Sequence, residues 1–304
     1  MPKVSIITPC YNSEAFIGRT IESVRAQTLT DWEHIIVDDG STDASAAVVE
    51  VCTNDPRLRL IRQTNGGVCN ARNNGFKACS AESKYLLFLD ADDCLEPEML
   101  AVMTADLDQN PNVGLAYCDY VNVDATDKPL VTITQPRWVP GLLSVKKLPR
   151  SQKITPFVSV FCGAPVLASL SVLRRSIYEQ TPGWDEDFGQ HHEELNLFAH
   201  VALMSQVYYI SQSLYRYRKH TGQSSSLPAR HIAQSAKFDA KWKNRQSLSP
   251  IDKSQVEAAF RFRDRRLVPA LRFRAGLESL QEGNVSQAGR HCLWAAMRYV
   301  GVLV

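Results

Sequence analysis

Over the first 125 positions, short β-branched apolar runs alternate with segments whose apolar residues recur every three or four positions. Val4–Thr8, Trp32–Val37, Leu58–Ile61, Tyr85–Leu89 and Val113–Val123 read as strands. Ile17, Ile21 and Val24 form a helical stripe behind Pro9–Ser13, with Ser13 as the expected N-cap. Ser45–Cys52 and Val68–Cys79 read as helices, the second tolerating Gly75, and Pro97–Asn110 as a helix stopped by Asn110–Pro111. Strands alternating with helices predict βα units in a mostly parallel sheet. Their right-handed connections bring the strand C-termini to one edge. Asp38–Asp39 and Asp90–Asp93 follow two of these strands, so both acidic groups are expected at that edge.

Beyond residue 125 the pattern weakens. Lys128–Pro165 is Pro-rich and poorly periodic, as expected of an irregular connection over the sheet. Ser169–Arg174 reads as a strand, Arg175–Gln180 as a helical turn and Glu193–Met204 as a helix with Leu197, Val201 and Met204 on one side. Val207–Ile210 and Leu214–Arg218 suit two short strands, and from Arg230 the pattern is helical with breaks at Pro250 and Gly283.

Composition narrows the class. No run approaches the roughly 18–20 apolar residues that span a bilayer, and Met1–Ile7 enters a strand without the apolar core of a signal peptide. The eight cysteines have neither Cys-x-x-Cys nor zinc-type spacing, which fits reduced thiols in a cytoplasmic protein. Cys10 and Cys69 read as small apolar fillers. The net charge of +2 hides an asymmetry: from Leu227 onward 14 Lys/Arg face 6 Asp/Glu, and the rest of the chain is acidic.

The chemistry concentrates at Tyr85–Asp93. An apolar strand ends there in three carboxylates within four residues, at the edge where parallel sheets bind ligands. Carboxylates that close repel, and a hard divalent cation such as Mg²⁺ or Mn²⁺ relieves them. A polar turn capping a buried strand is the alternative.

Read together, several segments resemble the family 2 glycosyltransferases: VSIITPCYN at Val4–Asn12, VDDGSTD at Val37–Asp43, NGGVCNARNNG at Asn65–Gly75 and LFLDADD at Leu87–Asp93. GWDEDF at Gly183–Phe188, HHEELNLF at His191–Phe198 and YRYRKHTGQSS at Tyr215–Ser225 continue the match over the first three-quarters of the chain. The resemblance implies a GT-A fold: Rossmann-like α/β, with a mostly parallel central sheet flanked by helices and a C-terminal helical extension. Residues 1–226 would form the catalytic domain, with about 1–125 binding the nucleotide sugar and 126–226 the acceptor. Residues 227–304 would form the helical region.

The resemblance also implies transfer of a sugar from a nucleotide-diphosphate donor, a UDP-sugar by preference, to an acceptor hydroxyl with inversion. Asp92 is the expected Mn²⁺ or Mg²⁺ ligand, with Asp90, Asp93 and His220 as further candidates and Asp90 and Ala91 touching the donor. Pro9 and Tyr11 would border the base, Asp39 would hydrogen-bond it, and Arg72 would face the nucleotide. Glu194 stands where the family usually has the aspartate base, one methylene longer, with Glu193 beside it; helix N-terminal acids favoured by the dipole are the alternative. Trp184 would stack on a sugar, or else anchor the core. Asp185 would accept sugar hydroxyls; Arg218 would neutralise the diphosphate or else, with His220, form a structural strand end; and His191 and His192 would line the acceptor pocket or be solvated loop residues.

The acceptor is expected to be a glycan or lipid-linked glycan. Arg261–Arg274 mixes Arg with Phe and Leu, as a helix resting on anionic lipid would; helices packed on the catalytic domain give the same pattern. Leu277–Val300 resembles appended helix-turn-helix packing segments. No recognised module supports nucleic-acid binding. Two other functions fit parts of the pattern: a degenerate sugar-nucleotide-binding scaffold, and a sugar-nucleotide pyrophosphorylase. The second lacks its Gly-rich, basic phosphate loop after Val4–Thr8.

Overall fold

The computed structural model describes residues 1–130, 156–161, 166–189, 192–221, 237–245, 248–264, 285–286 and 289–290. The chain divides into two compact units, Met1–Ile133 with Val166–Lys241, and Thr134–Pro165 with Trp242–Val304.

The first unit is built on an eight-stranded sheet of order β3-β2-β1-β4-β7-β6-β8-β5. Its strands are β1 (Val4–Cys10), β2 (Trp32–Asp38), β3 (Leu58–Arg62), β4 (Tyr85–Phe88), β5 (Cys94–Leu95), β6 (Val113–Val123), β7 (Ser171–Arg174) and β8 (Gln206–Arg218). The pairs β1/β2, β1/β4, β2/β3 and β6/β8 are parallel, while β7 runs against β4 and β6, and β5 against β8. The expected mostly parallel sheet is therefore present. Every residue of β4 is buried, as its unbroken apolar sequence requires of a strand covered on both faces. The C-terminal ends of β2 and β4 flank β1, which brings Asp38–Asp39 and Asp90–Asp93 to one edge.

The helices are α1 (Ile17–Arg25), α2 (Ser45–Cys52), α3 (Val68–Ala78), α4 (Met99–Gln109), α5 (Pro156–Phe161), α6 (Arg175–Tyr178) and α7 (Glu193–Met204). Gly75 is more than tolerated in α3. A Cβ there would come within 2.4 Å of Ile7 Cγ2 and 3.2 Å of Val37 Cγ2, so its absence lets α3 lie close on β1 and β2.

Four local expectations change. The cap of α1 is Phe16, not Ser13, whose hydroxyl instead donates to the Tyr11 carbonyl. The two short strands expected near the end are one long β8, with a register irregularity between Ile210 and Ser213 that breaks the alternation. Ser169 belongs to a 3-10 turn, Ala168–Leu170, rather than to the strand it precedes. Helix α5 lies inside the segment read as irregular; the rest of Lys128–Pro165 after Leu130, apart from α5, lies outside the described residues.

The second unit includes α5 and the helix Pro250–Phe262. Pro250 starts that helix behind the Ser249 cap rather than breaking it. Phe161 packs with Phe157, Trp242 and Phe260, with ring centroids 5.0–5.6 Å apart. Of Arg261–Arg274 only the part to Asp264 is described, and Gly283 and nearly all of Leu277–Val300 lie outside the described residues. No described helix is long and apolar enough to cross a membrane.

Gly75→Ala tests the close packing of α3. The variant should lose about 1–3 kcal/mol of stability in urea unfolding, the usual cost of overpacking. An unchanged midpoint would show that α3 has room to move.

Candidate active site

A cavity of about 950 Å³ opens at the C-terminal edge of β1, β2 and β4. Of the residues singled out in the sequence, Pro9, Tyr11, Asp39, Arg72, Asp90, Ala91, Asp92, Asp93, Glu193, Glu194 and His220 line it. Trp184, Asp185 and Arg218 do not. His192 also lines it, in the left-handed region at φ 70°, whereas His191 lies outside the described residues.

Arg72 is the cation of the site. It sits on α3 with only 3% of its surface exposed. One guanidinium nitrogen donates to Asp90 Oδ1 at 2.9 Å and another to Glu193 Oε1 at 3.4 Å. The guanidinium also stacks over Trp184, 4.2 Å from its ring centroid. Burial alone would lower its pKa, but the carboxylates of Asp90, Glu193 and Glu194 outweigh burial and raise it.

Glu193 and Glu194 open α7, where the helix dipole favours acids. They face different partners. Glu193 is committed to Arg72; burial nevertheless raises its pKa. Glu194 Oε1 accepts from the Ala168 N–H at 2.8 Å, and its second oxygen has no hydrogen-bond partner among the described residues. Burial, and then the charge of Glu193, push Glu194 up to about 8. A carboxylate with one oxygen held by a backbone amide, one oxygen available and a raised pKa is suited to accepting a proton near neutrality.

The acidic loop divides by direction. Asp92 Oδ2 meets His220 Nε2 at 3.0 Å on the cavity wall, and burial followed by repulsion from Asp90 raises its pKa. Asp93 turns away: Oδ1 accepts from the Arg218 N–H at 2.6 Å and Oδ2 from the Tyr215 hydroxyl. Burial and its two acidic neighbours raise its pKa well above the ordinary carboxylate range. With both oxygens engaged from behind, Asp93 leaves the ligand set read from sequence and braces the loop. Asp90 is drawn to Arg72. Consistent with this, no group of three His, Cys, Asp or Glu among the described residues is gathered to hold a metal. Asp92 and His220 remain the convergent pair.

Three further assignments change. Trp184 is a core anchor, 2% exposed and edge-on to Phe88 and Phe198, so it offers no face to a sugar. Asp185 is tied to Lys241 Nζ at 2.6 Å and accepts from the Asp187 N–H. Arg218 is wholly buried: it donates to the Asp92 carbonyl at 2.6 Å and pairs with Asp127 at 2.7 Å, which holds the acidic loop rather than a diphosphate. The alternating pattern of β8 gave no sign that this arginine points inward.

On the nucleotide side, Asp39 accepts from the Gly66 and Gly67 N–H groups at 2.7 and 2.9 Å and from Gln63 Nε2 at 2.8 Å. The two glycines thus bind a side-chain carboxylate and shape the turn. Asp38 Oδ1 accepts from the Ser41 N–H at 3.2 Å, local turn chemistry of the kind its sequence favours. Sequence reasoning missed Phe16, whose ring lies 4.5 Å from that of His220 and which lines the cavity. Its only sequence signal is its place between Ser13 and the stripe of α1.

An open α/β sheet with a cavity at its strand ends, an acidic loop after β4 and paired acids at a helix start defines a GT-A-type protein. The family model described as glycosyl transferase family 2 matches residues 5–177, more than half of the chain, and the chain belongs to that family. It is 30% identical over 233 residues to the O-antigen biosynthesis protein RfbC of Myxococcus xanthus, covering 75% of this chain and 17% of that protein. It is 37% identical over 125 residues to the chondroitin synthase of Escherichia coli, covering 41% of this chain and 18% of the synthase. The chain thus spans less than a third of the length of either relative. In fold it is similar to S. aureus TarS 1–349, solved with UDP-GlcNAc (TM-score 0.63, 20% identity, 94% of this chain and 89% of that one). It is also similar to the mannosyltransferase PcManGT of Pyrobaculum calidifontis, solved with GDP-Man and Mn²⁺ (TM-score 0.64, 18% identity, 97% and 80%).

Replacing Arg72 by Met should destabilise the chain by about 3–5 kcal/mol in urea unfolding, because the buried Glu193 loses its counter-ion and the half-exposed Asp90 its partner. A loss under about 1 kcal/mol would show that the acids do not depend on it.

Proposed function

We propose that this chain moves a sugar from a nucleoside-diphosphate donor to an acceptor hydroxyl with inversion, in assembly of a surface polysaccharide or related glycan. The observation that carries this reading is Glu194, a carboxylate with a raised pKa and one available oxygen, in the same cavity as Asp92 and His220. Family membership and the similarity to an O-antigen biosynthesis protein and a chondroitin synthase support the glycan context.

In the proposed step Glu194 takes the proton of the acceptor hydroxyl. The acceptor oxygen bonds to the anomeric carbon from the face opposite the diphosphate, and the old carbon–oxygen bond breaks with its electron pair leaving on the diphosphate. One base suffices for such a displacement. Glu193, held by Arg72, is not positioned as a second nucleophile. Asp90 is oriented by the same guanidinium, toward donor ribose or sugar.

A divalent cation fits the donor set. Asp92 and His220 converge, burial and then repulsion from Asp90 raise the Asp92 pKa, and Mn²⁺ and Mg²⁺ take few protein ligands when phosphates and water complete the shell. When bound, the cation supplies positive charge to the leaving diphosphate. A nucleotide sugar as co-substrate and Mn²⁺ as the ion are supported by the complexes of the fold relatives, with UDP as the first nucleotide to try and GDP as the second. Pro9 and Tyr11 would then border the base. The acceptor is a glycan or lipid-linked glycan, and residues 1–226 carry the chemistry. Cytoplasmic work at the inner face of a membrane, through the basic C-terminal region, completes the reading.

Glu194→Gln should cut kcat by roughly 10²–10⁴-fold while leaving binding of UDP with Mn²⁺ intact. In the unmodified protein kcat/KM should fall as pH drops through the raised Glu194 pKa of about 8, since the base must be ionised. Turnover retained in the glutamine variant would sink the assignment of the base.

A further inference from the structure

The three-residue turn Ala168–Leu170 holds both halves of the site. Its first residue, Ala168, donates its N–H to Glu194 at 2.8 Å. Its second, Ser169, is 2% exposed and accepts from the Asp90 N–H at 3.0 Å through its hydroxyl. One rigid turn therefore touches the base on one side and the first residue of the acidic loop on the other.

The loop is held at its far end too. Tyr215, buried on β8, donates its hydroxyl to Asp93. From the Ala168–Leu170 turn through the acidic loop to β8, the two hydroxyls thus form the end links of one buried polar chain: Ser169 holds the loop at Asp90 and Tyr215 holds it at Asp93. Asp92, between the held residues, is the one acid left turned to His220. Such a chain resists displacement because an unmade hydrogen bond in a buried network is costly.

We propose that Ser169 and Tyr215 are positioning residues: they fix the acidic loop so that Asp92 faces the diphosphate, though neither hydroxyl need touch donor or metal. This rests on the function proposed above. It assigns the diphosphate half of donor recognition to two hydroxyls that the sequence did not single out for binding. The nucleoside half, on Pro9, Tyr11 and the Asp39 turn, is independent of both.

The test is calorimetry on full-length Tyr215→Phe and Ser169→Ala with two probes, UDP plus Mn²⁺ and uridine alone, and with GDP and guanosine in parallel. Affinity for the diphosphate with Mn²⁺ should fall roughly 10–100-fold, the size of effect that loss of a group orienting a metal site from outside its ligands produces. Affinity for the nucleoside should stay within about twofold. If both affinities fall together with Tm, the hydroxyls are merely structural and the proposal fails; unchanged diphosphate affinity overturns it as well. If one variant does not fold, the other carries the same two outcomes. An unmodified protein that binds neither diphosphate would overturn the donor reading itself, a result distinct from a variant effect.

Discussion

The cavity depends on one buried cation. Arg72 brings Asp90 from the end of β4 and Glu193 from the start of α7 to a single guanidinium, backed by the indole of Trp184. Without it these acids would face one another, and Glu194, in a low-dielectric pocket where like charges repel strongly. With it, Glu193 is committed to a partner and Glu194 is left as the acid whose second oxygen is available. The division of labour between two adjacent glutamates thus follows from which of them reaches the arginine. Trp184 belongs to the same arrangement: the guanidinium it stacks on cannot shift without disturbing the packing of Phe88 and Phe198.

Around that centre the sheet supplies distance and direction. Parallel β1, β2 and β4 end at one edge, which places the Asp39 turn and the acidic loop on either side of β1. Strand β8 comes from the far side of the sheet and closes on the loop through Tyr215, Arg218 and His220. Of these, Arg218 and Tyr215 are buried, and Tyr215 and His220 line the cavity. A single strand end therefore braces the loop from behind and adds the imidazole beside Asp92.

Much of this was legible in the sequence. The βα order, the sheet edge and many of the residues that line the cavity follow from hydrophobic periodicity and from motif position. What periodicity does not carry is the direction of side chains in irregular segments. Asp92 and Asp93 are neighbours of equal chemistry, and only the register of β8 decides that Asp93 is satisfied from inside. Trp184 and Asp185 sit in a turn where sequence cannot tell an inward indole from an outward one. Arg218 reads equally as a diphosphate contact or a structural strand end; its burial depends on Asp127 and the Asp92 carbonyl, partners far away in sequence that no local pattern encodes. Ser169 was invisible for the same reason.

The account stands on a single displacement driven by one base. The most direct measurement is proton NMR of the product formed from an α-linked UDP- or GDP-sugar and an oligosaccharide acceptor in the presence of Mn²⁺. A new linkage of β configuration is the predicted result. A product that keeps the α configuration would contradict the assignment of Glu194 as base in a single displacement.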